Sequence, residues 1–377
     1  MVLAVHVVLN LAFLTPGEMG GLEVYARRLG EALARRDDLR LTLLLPRIGS
    51  EAESWTPLGR VLTLPVDPRR RSQWVLADQL HVPRAAARAG AEVLHSLAST
   101  GPLTGSVPRV VTVHDLHYRT QPEAHFGLRG LGMRALVPAA ARRSRRVIVP
   151  SRSTAEDVVR HLGVAPDRID VIPEAPGYPP AVPLRTREEV RAELGAGERP
   201  LLLTVSAKRP HKNLARLLGA LARLDEAGRP ILVLPGYPTP HESELRASAA
   251  ELGVTDNVRF LGWVSDQQLE DLYRAADAFV FPSLSEGFGL PVLEAMARGI
   301  PVATSDRTSL AEVAGEAALL FDAEDERSIA AGIQRMLNEE GLAERLAAAG
   351  LAQAANFTWD AAAERTVAAY RRALGSE

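Results

Sequence analysis

The chain has 377 residues, and 44 Lys and Arg side chains against 46 Asp and Glu give a formal net charge of −2. One hydrophobic core stops growing at about 250–300 residues, so this length predicts two domains. The near-neutral balance argues against a dedicated nucleic-acid-binding protein, which is usually basic. The absence of cysteine excludes disulfides, thiolate metal centres and thiol nucleophiles, and it fits a reducing, cytoplasmic setting.

The first apolar segment is too short to cross a membrane. Residues 1–14 read MVLAVHVVLNLAFL, with no basic residue ahead of the apolar run and with His6 and Asn10 inside it. A membrane-spanning helix needs ~20 apolar residues. The β-branched content of Val2–Leu9 instead predicts a buried first strand.

Short apolar runs then alternate with helical patterns. The further strands predicted in the first half are 41–45, 61–64, 92–95, 110–113, 147–149 and 169–172. The helices predicted between several of them are 22–36, 73–89 and 153–162. This alternation predicts βαβ units and a parallel sheet covered by helices on both faces.

A proline-rich segment, 173–183, interrupts the alternation and predicts a linker. The alternation restarts after it. The strands predicted there are 201–205, 231–234, 258–261, 278–281 and 302–304, and the helices are 213–226, 243–252, 266–275 and 290–298. The sequence therefore predicts two doubly wound α/β domains, 1–178 and 179–358. Ligands of such folds bind beyond the carboxyl ends of the strands, so we expect the site in a cleft between the domains.

Two short motifs in the first half could contact a ligand. Gly20 and Gly21 precede the first predicted helix, where glycine allows close backbone approach and the helix N-terminus favours a phosphate. The G-x-G-x-x-G pattern of dinucleotide binding is absent there. His114 and Asp115 follow a predicted strand, where reacting groups collect. The alternatives are a tight turn for the glycines and a buried, structural histidine for His114.

The segment SAKRPHKN, residues 206–213, follows the first strand of the second half. Its basic side chains, Lys208, Arg209, His211 and Lys212, stand just before a predicted helix and suit a doubly charged phosphate. The segment lacks the pattern of a Walker A loop. A solvated basic turn is the alternative.

Two glutamates eight residues apart give the strongest motif. Glu286 follows a predicted strand, Gly287, Phe288 and Gly289 form a turn, and Glu294 lies inside the apolar helix that comes next. Two such carboxylates can accept bonds from different hydroxyl groups of one ligand, and the N–H groups of the turn can face an anion. Two surface glutamates are the alternative, although an unpaired carboxylate in an apolar helix is costly.

These motifs, taken together and in order, resemble those of the retaining GT-B glycosyltransferases of family 4, and most of all its GDP-mannose-type mannosyltransferases of surface polysaccharide assembly. The resemblance covers nearly the whole chain. The stretches that carry it are GGLEVYARRLGEALAR (20–35), QWVLADQLHVPRAAARAGAEVLHS (73–96), TVHDLHY (112–118), VIVPSRSTAEDVVRHLGV (147–164), NVRFLGWVSDQQLEDLYRAADAFVFPS (257–283) and PSLSEGFGLPVLEAMARGIPVATSDRTSLAEVAGEAALLFD (282–322). It implies two Rossmann-like domains that face a cleft, with the acceptor on the first domain and a nucleotide sugar on the second. It also implies a last helix, 359–374, that packs back onto the first domain.

The resemblance implies a role for each matching position. Glu286 would accept hydroxyls of the transferred sugar, Glu294 would hold the ribose, and Lys212 would neutralise the leaving diphosphate. The remaining expected contacts are Gly20 and Gly21 with the phosphate, His114 and Asp115 with the sugar, the backbone of Gly287, Phe288, Gly289 and Leu290 with sugar and phosphate, and the backbone of Trp263 and Val264 with the base. Ser206 stands where many relatives have an arginine. Arg209 and Lys208 are therefore the candidates for the basic group that binds the diphosphate together with Lys212.

A mechanism follows from these parts. Stabilisation of the departing diphosphate by Lys212, the basic turn and helix N-termini needs no metal, and the sequence D-x-D does not occur. We therefore expect metal-independent transfer with retention, in which the leaving phosphate takes the proton of the acceptor. A nucleotide-sugar epimerase of the same fold and a non-catalytic sugar-nucleotide-binding protein are the alternatives. UDP-sugars remain possible donors beside GDP-mannose.

The acceptor is expected to be a saccharide or a lipid-linked saccharide. Arginines cluster at 142–146, after an apolar helix, and again at 69–71. Basic groups beside an apolar face suit an anionic membrane surface, which predicts a peripheral location at the inner face of the membrane. A solvated, arginine-rich surface is the alternative.

Overall fold

A computed structural model describes residues 4–15, 17, 20–47, 51–120 and 128–375. The chain forms two compact units. The first comprises Met1–Gly177 together with Thr358–Glu377, and the second comprises Tyr178–Phe357. No helix in the described ranges combines the length and apolar character that a membrane crossing requires.

The first unit is built on a seven-stranded parallel sheet in the order β3-β2-β1-β4-β5-β6-β7. Its strands are β1 (Val5–Asn10), β2 (Leu39–Pro46), β3 (Arg60–Leu64), β4 (Val93–Ser96), β5 (Arg109–Thr112), β6 (Arg146–Val149) and β7 (Ile169–Val171). Its helices are α1 (Gly21–Ala34), α2 (Arg71–Leu76), α3 (Val82–Arg88), α4 (His117–Thr120), α5 (Leu128–Arg143), α6 (Arg152–Asp157) and α15 (Trp359–Leu374). Val2 and Leu3, where the first strand was predicted to begin, lie outside the described residues.

The last helix, α15, packs into the core of the first unit. Thr358 caps its N-terminus, with the side chain accepting a hydrogen bond from the backbone N–H of Ala361 at 3.2 Å. Val367 and Tyr370 are buried in the core that also holds the apolar residues of β1 and β2. The Tyr370 hydroxyl lies 2.7 Å from Nδ1 of the buried His95. The C-terminal segment thereby completes a core whose sheet is formed more than 180 residues earlier in the chain.

The second unit contains a six-stranded parallel sheet in the order β10-β9-β8-β11-β12-β13. Its strands are β8 (Leu201–Leu203), β9 (Ile231–Leu234), β10 (Val258–Phe260), β11 (Ala278–Phe281), β12 (Val302–Ser305) and β13 (Leu319–Phe321). Its helices are α7 (Arg187–Glu193), α8 (Leu214–Ala222), α9 (His241–Glu251), α10 (Asp266–Ala275), α11 (Leu290–Met296), α12 (Ser309–Ala314), α13 (Glu326–Asn338) and α14 (Leu342–Ala354). The predicted doubly wound architecture of both halves is confirmed.

The sequence did not predict three elements of the second unit. Strand β13 is only three residues long and its middle residue, Leu320, is exposed, so its apolar pattern is weak. Helix α12 follows Thr308, whose φ of 51° is uncommon outside glycine and whose hydroxyl accepts from the distant backbone N–H of Glu286. Helix α7 did carry a usable signal, because Thr186 and Glu189 form a capping box.

One glycine beside the ends of β8 and β9 is required by close backbone packing. Gly236 has a φ of +130°, and a Cβ built on it would lie 2.2 Å from the carbonyl oxygen of Ser206. Its N–H donates to the carbonyl of Gly262 at 3.0 Å, which joins the loop after β9 to the loop after β10. These loops therefore meet without room for a side chain.

We expect Gly236→Ala to lower the free energy of unfolding by at least ~2 kcal/mol, because the new methyl group must displace backbone and adopt an unfavourable φ. Gly228→Ala is the matched control, since a Cβ there meets no atom within 4 Å in the part of the chain that the structure describes. Chemical denaturation of both variants measures the difference. Equal unfolding midpoints would contradict the assignment.

Candidate functional site

The loops that follow β8 and β11 lie side by side because these strands are neighbours in a parallel sheet. After β8 the chain makes a short 3₁₀ turn, Pro210–Lys212, and Asn213 follows with a φ of 58°. The buried Asn213 amide donates to the carbonyls of Pro282 at 3.0 Å and Ala323 at 2.7 Å. The N–H of Leu284 donates to the carbonyl of His211 at 2.9 Å. These bonds fix the two loops against each other.

Lys212 and Glu286 form an ion pair between these loops. The Lys212 Nζ lies 2.6 Å from Glu286 Oε1, and the two side chains are only 17% and 11% exposed. The N–H of Glu286 donates to Thr308 Oγ1 at 3.1 Å, and Ser309 Oγ donates to the Glu286 carbonyl at 2.9 Å. Desolvation makes such a pair expensive unless both charges are well matched. A ligand with an anionic group and hydroxyl groups can bind both partners at once.

The second glutamate of the motif lies in the interior. Glu294 on α11 is 6% exposed, and the hydroxyl of Tyr273 donates to its Oε2 at 3.1 Å. The turn between the glutamates places the Phe288 ring in the core, 5.9 Å from the ring of Phe357, so only its backbone is available to a ligand. Gly289 has a φ of +118° and precedes Leu290, the first residue of α11. Gly287 completes this turn.

The structure corrects one prediction about the basic segment. Lys208 is fully buried, and its Nζ donates to the carbonyls of Gly236 at 2.7 Å and Leu261 at 2.6 Å. Burial lowers the pKa of Lys208 to about 8. Lys208 therefore holds the loops after β9 and β10 together, and the prediction that it is a candidate phosphate ligand is wrong. Arg209 is exposed on the same turn.

Two further predicted contacts lie on the loops after β8 and β10. The Ser206 hydroxyl is buried and has no hydrogen-bond partner among the described residues. Trp263 is 56% exposed, and its ring stacks on Tyr237 with centroids 4.4 Å apart. Val264 packs against the core of the unit. An exposed indole on a fixed loop offers a flat surface to a ligand.

In the first unit, two predicted glycines begin α1. Gly20 has a φ of 55° and precedes the helix, and Gly21 is its exposed first residue. A Cβ on Gly20 would meet no atom of the described residues within 4 Å. The carbonyl of Gly20 accepts from the N–H groups of Glu23 and Val24. The predicted phosphate contact of Gly20 and Gly21 therefore stays a prediction.

His114 is held between two acceptors. Its Nδ1 lies 3.1 Å from Glu174 Oε1 and its Nε2 lies 2.8 Å from the carbonyl of Leu97. Burial lowers the pKa of His114, but the hydrogen bond and charge of Glu174 raise it more, and the net pKa is raised. Both ring nitrogens face acceptors in this arrangement, which favours the doubly protonated imidazolium. No motif in the sequence points to Glu174, which lies in the proline-rich segment.

Asp115 and the arginine cluster have local partners. Asp115 accepts a hydrogen bond from the backbone N–H of His117 at 3.0 Å. Arg142 and Arg145 donate to the carbonyls of Leu162 at 2.6 Å and Ala373 at 2.8 Å, while Arg146 pairs with the buried Asp170 at 2.6 Å. The cluster therefore ties β6 and α5 to their surroundings, and membrane contact remains a prediction. The side chain of Arg71, in the second basic patch, lies outside the described residues.

No group of three or more histidine, aspartate or glutamate side chains within the described part of the chain is arranged to share a metal ion. The loops after β8 and β11 in the second unit instead carry the ion pair of Lys212 and Glu286. Two doubly wound parallel sheets in one chain, the second carrying this pair at strand ends and a buried glutamate on the helix that follows, are the arrangement expected of a GT-B glycosyltransferase.

Comparison with known proteins agrees with this class. The model of the family described as "Glycosyltransferase Family 4" matches residues 19–175, and that of "Glycosyl transferases group 1" matches residues 186–353. The chain belongs to this glycosyltransferase family. It is 33% identical to O-antigen chain mannosyltransferase B of Escherichia coli over 70% of each chain. It is 32% identical to a D-inositol 3-phosphate glycosyltransferase of Frankia alni over 95% of this chain and 96% of the relative.

Solved structures show the same fold. Sucrose-phosphate synthase from Thermosynechococcus elongatus superposes with a TM-score of 0.81 at 22% identity, over 99% of this chain and 100% of the other. Anabaena HepE in complex with UDP-glucose superposes with a TM-score of 0.76 at 20% identity, over 96% and 98% of the two chains. At these identities the likeness concerns the fold alone.

The pKa of His114 provides a test of the first-unit geometry. We expect the pKa of His114 in NMR titrations to exceed 6.5, and Glu174→Gln to lower it, because the amide has no charge. Since the folded pKa is raised, the stabilisation is fully present below about pH 6.5 and is lost as the pH rises through the folded pKa.

The stability lost in Glu174→Gln should therefore be larger at pH 6 than at pH 9. Glu156→Gln, at an exposed carboxylate, is the control. A His114 pKa that does not respond to Glu174→Gln would refute the assigned ion pair.

Proposed function

We propose that this glycosyltransferase moves mannose from GDP-mannose to a saccharide or lipid-linked saccharide acceptor during surface polysaccharide synthesis. The observation that carries the proposal is the largely buried pair of Lys212 and Glu286 between adjacent strand ends. One partner can bind the diphosphate and the other the sugar hydroxyls of a nucleotide sugar. The mannose preference is supported by the 33% identity to an O-antigen mannosyltransferase.

We propose that the reaction retains the configuration of the sugar and needs no metal. The acceptor oxygen attacks the anomeric carbon on the face from which the diphosphate leaves. The carbon–oxygen bond to the diphosphate breaks, and a phosphate oxygen takes the acceptor proton. The Lys212 ammonium stabilises the charge that develops on the leaving group. No side chain forms a covalent bond to the sugar in this scheme.

The other donor contacts follow from the same placement. Backbone groups from Gly287 to Leu290 line the sugar and phosphate, and Glu294 binds the ribose. Arg209 is exposed on the turn that holds Lys212. It supplies the second positive charge for the diphosphate, because Ser206 carries no charge. The exposed Trp263 and the neighbouring Val264 meet the base. Contacts from Gly20, Gly21, His114 and Asp115, the cytoplasmic location and peripheral membrane contact stay predictions.

The identity of the donor is tested by a thermal-shift panel of GDP-mannose, GDP, UDP-glucose and UDP at millimolar concentration. A ligand at ~100 times its Kd stabilises the folded state by ~2.7 kcal/mol, which raises the unfolding temperature by several degrees. We expect GDP and GDP-mannose to stabilise the protein more than the uridine nucleotides. A larger shift with UDP-glucose would reassign the donor, and no shift with any nucleotide would refute the proposal.

Lys212→Met should lower kcat for transfer about 100-fold to 1000-fold, because one stabilising charge on the leaving group is lost. Glu286→Gln should lower kcat as well, since the amide is a weaker acceptor for sugar hydroxyls. Arg327→Met, at an exposed cation on α13, is the control and should behave as the parent protein. Product analysis by NMR reports the anomeric configuration. Wild-type kcat in Lys212→Met, or an inverted product, would contradict the mechanism.

A further inference from the structure

A buried polar group lies behind Glu294 and extends across two helices. The Tyr273 side chain on α10 is 1% exposed, and its hydroxyl donates to Glu294 Oε2 at 3.1 Å. Tyr273 must be the donor, because an ionised carboxylate only accepts. Burial, and next the charge of Glu294, raise the pKa of Tyr273 well above its ordinary value. Its surroundings therefore favour the protonated hydroxyl.

Arg298 contacts both members of this hydrogen bond. Its guanidinium carbon lies 4.5 Å from the centroid of the Tyr273 ring, and its Nη1 donates to the backbone carbonyl of Glu294 at 2.9 Å. The side chain of Arg298 is only 4% exposed. A planar cation stacked on the ring limits the orientations that the tyrosine can adopt.

Glu270 neutralises the buried arginine. Its Oε2 accepts from Arg298 Nε at 2.8 Å and from Nη2 at 2.6 Å, and its side chain is 3% exposed. Glu270 and Tyr273 are three residues apart on α10, so they lie on one face of that helix. Glu294 and Arg298 are four residues apart at and just beyond the end of α11. The four side chains therefore form one buried group that joins these two helices.

Burying these four polar side chains between two helices costs desolvation free energy. Two carboxylates, a guanidinium and a phenol lose their hydration here, and apolar residues of similar volume often stabilise such a contact as well or better. Fully bonded polar networks do, however, fix a side chain in one orientation. A fixed carboxylate gives up less conformational entropy when it binds a ligand.

We propose that Tyr273, held by Arg298 and Glu270, is a positioning residue that orients the Glu294 carboxylate to accept both hydroxyl groups of the ribose of the donor nucleotide. The inference rests on the proposed function of Glu294 as the ribose ligand. Tyr273 acts through Glu294 and has no contact of its own with the donor. Its effect is therefore specific to the ribose hydroxyls, whereas the diphosphate contacts of Lys212 do not depend on it.

The test compares the Kd for a ribonucleotide with that for its 2′,3′-dideoxy analogue by calorimetry, using GDP or UDP, whichever binds more tightly. The wild-type protein should prefer the ribonucleotide by about 10-fold or more, as expected for two hydrogen bonds to a charged acceptor. Glu294→Ala should reduce this ratio to near one. Tyr273→Phe, which removes a single oxygen, should reduce the ratio about 3-fold to 10-fold and leave the dideoxy Kd nearly unchanged.

Each outcome separates the inference from the proposed function. If Glu294→Ala keeps the wild-type ratio, the ribose role of Glu294 is wrong. If Glu294→Ala abolishes the preference and Tyr273→Phe retains it while melting at a lower temperature, Tyr273 is merely structural and the inference is overturned. Tyr370→Phe, which removes a buried hydroxyl in the first unit, is the control for stability and should keep the ratio.

Arg298→Lys is the second variant, for use if Tyr273→Phe does not fold. It keeps the cation but loses the planar stacking on Tyr273 and the paired bonds to Glu270. We expect a ratio between those of the wild-type protein and Glu294→Ala. An unchanged ratio in a folded Arg298→Lys protein would count against the proposal.

Discussion

The candidate site of the second unit is organised around one electrostatic constraint, the pairing of Lys212 with Glu286 at 2.6 Å, with the two side chains only 17% and 11% exposed. Neither side chain could be left there alone, because an unpaired charge at such a site is costly. The two residues are 74 positions apart, and they meet because β8 and β11 are neighbours in a parallel sheet. The geometry of the sheet thus determines where the chemistry of this unit can lie.

The surroundings of this pair are held by buried polar side chains. Lys208 joins the loops after β9 and β10, Asn213 joins the turn after β8 to two other segments, and Tyr273 binds Glu294. Lys208 and Asn213 donate to loop carbonyls that would otherwise lack partners in the interior, and Tyr273 donates to a buried carboxylate. A rigid frame of this kind lets exposed groups such as Trp263 keep a fixed position.

Two histidines of the first unit, His95 and His114, have pKa values that shift in opposite directions because their hydrogen-bond partners and burial differ. His95 is fully buried between two hydroxyl groups, from Tyr370 and Thr112, and burial lowers its pKa to about 3. His114 is held by a carboxylate and a carbonyl, and its pKa is raised. Hydroxyl groups can donate to a neutral ring, whereas the two acceptors around His114 require protons on both nitrogens. The surroundings of His95 therefore favour the neutral ring, and those of His114 favour the charged one.

The sequence by itself determined the alternation of strands and helices, the two-sheet architecture and the order of the motifs, because apolar periodicity and turn residues are local properties. The strands 231–234 and 278–281 and the helix 266–275 were predicted with the bounds that the structure has. Local pattern also singled out Glu286, Glu294 and Lys212.

Only the tertiary structure decided which basic side chains are exposed to solvent. Lys208 and Arg209 are adjacent in sequence, yet one is fully buried and the other exposed, because carbonyls of distant loops surround the first. The sequence also could not predict that Glu174 contacts His114, or that Tyr273 and Arg298 contact Glu294. Contacts between residues far apart in the chain arise only from the packing of the sheet and its helices.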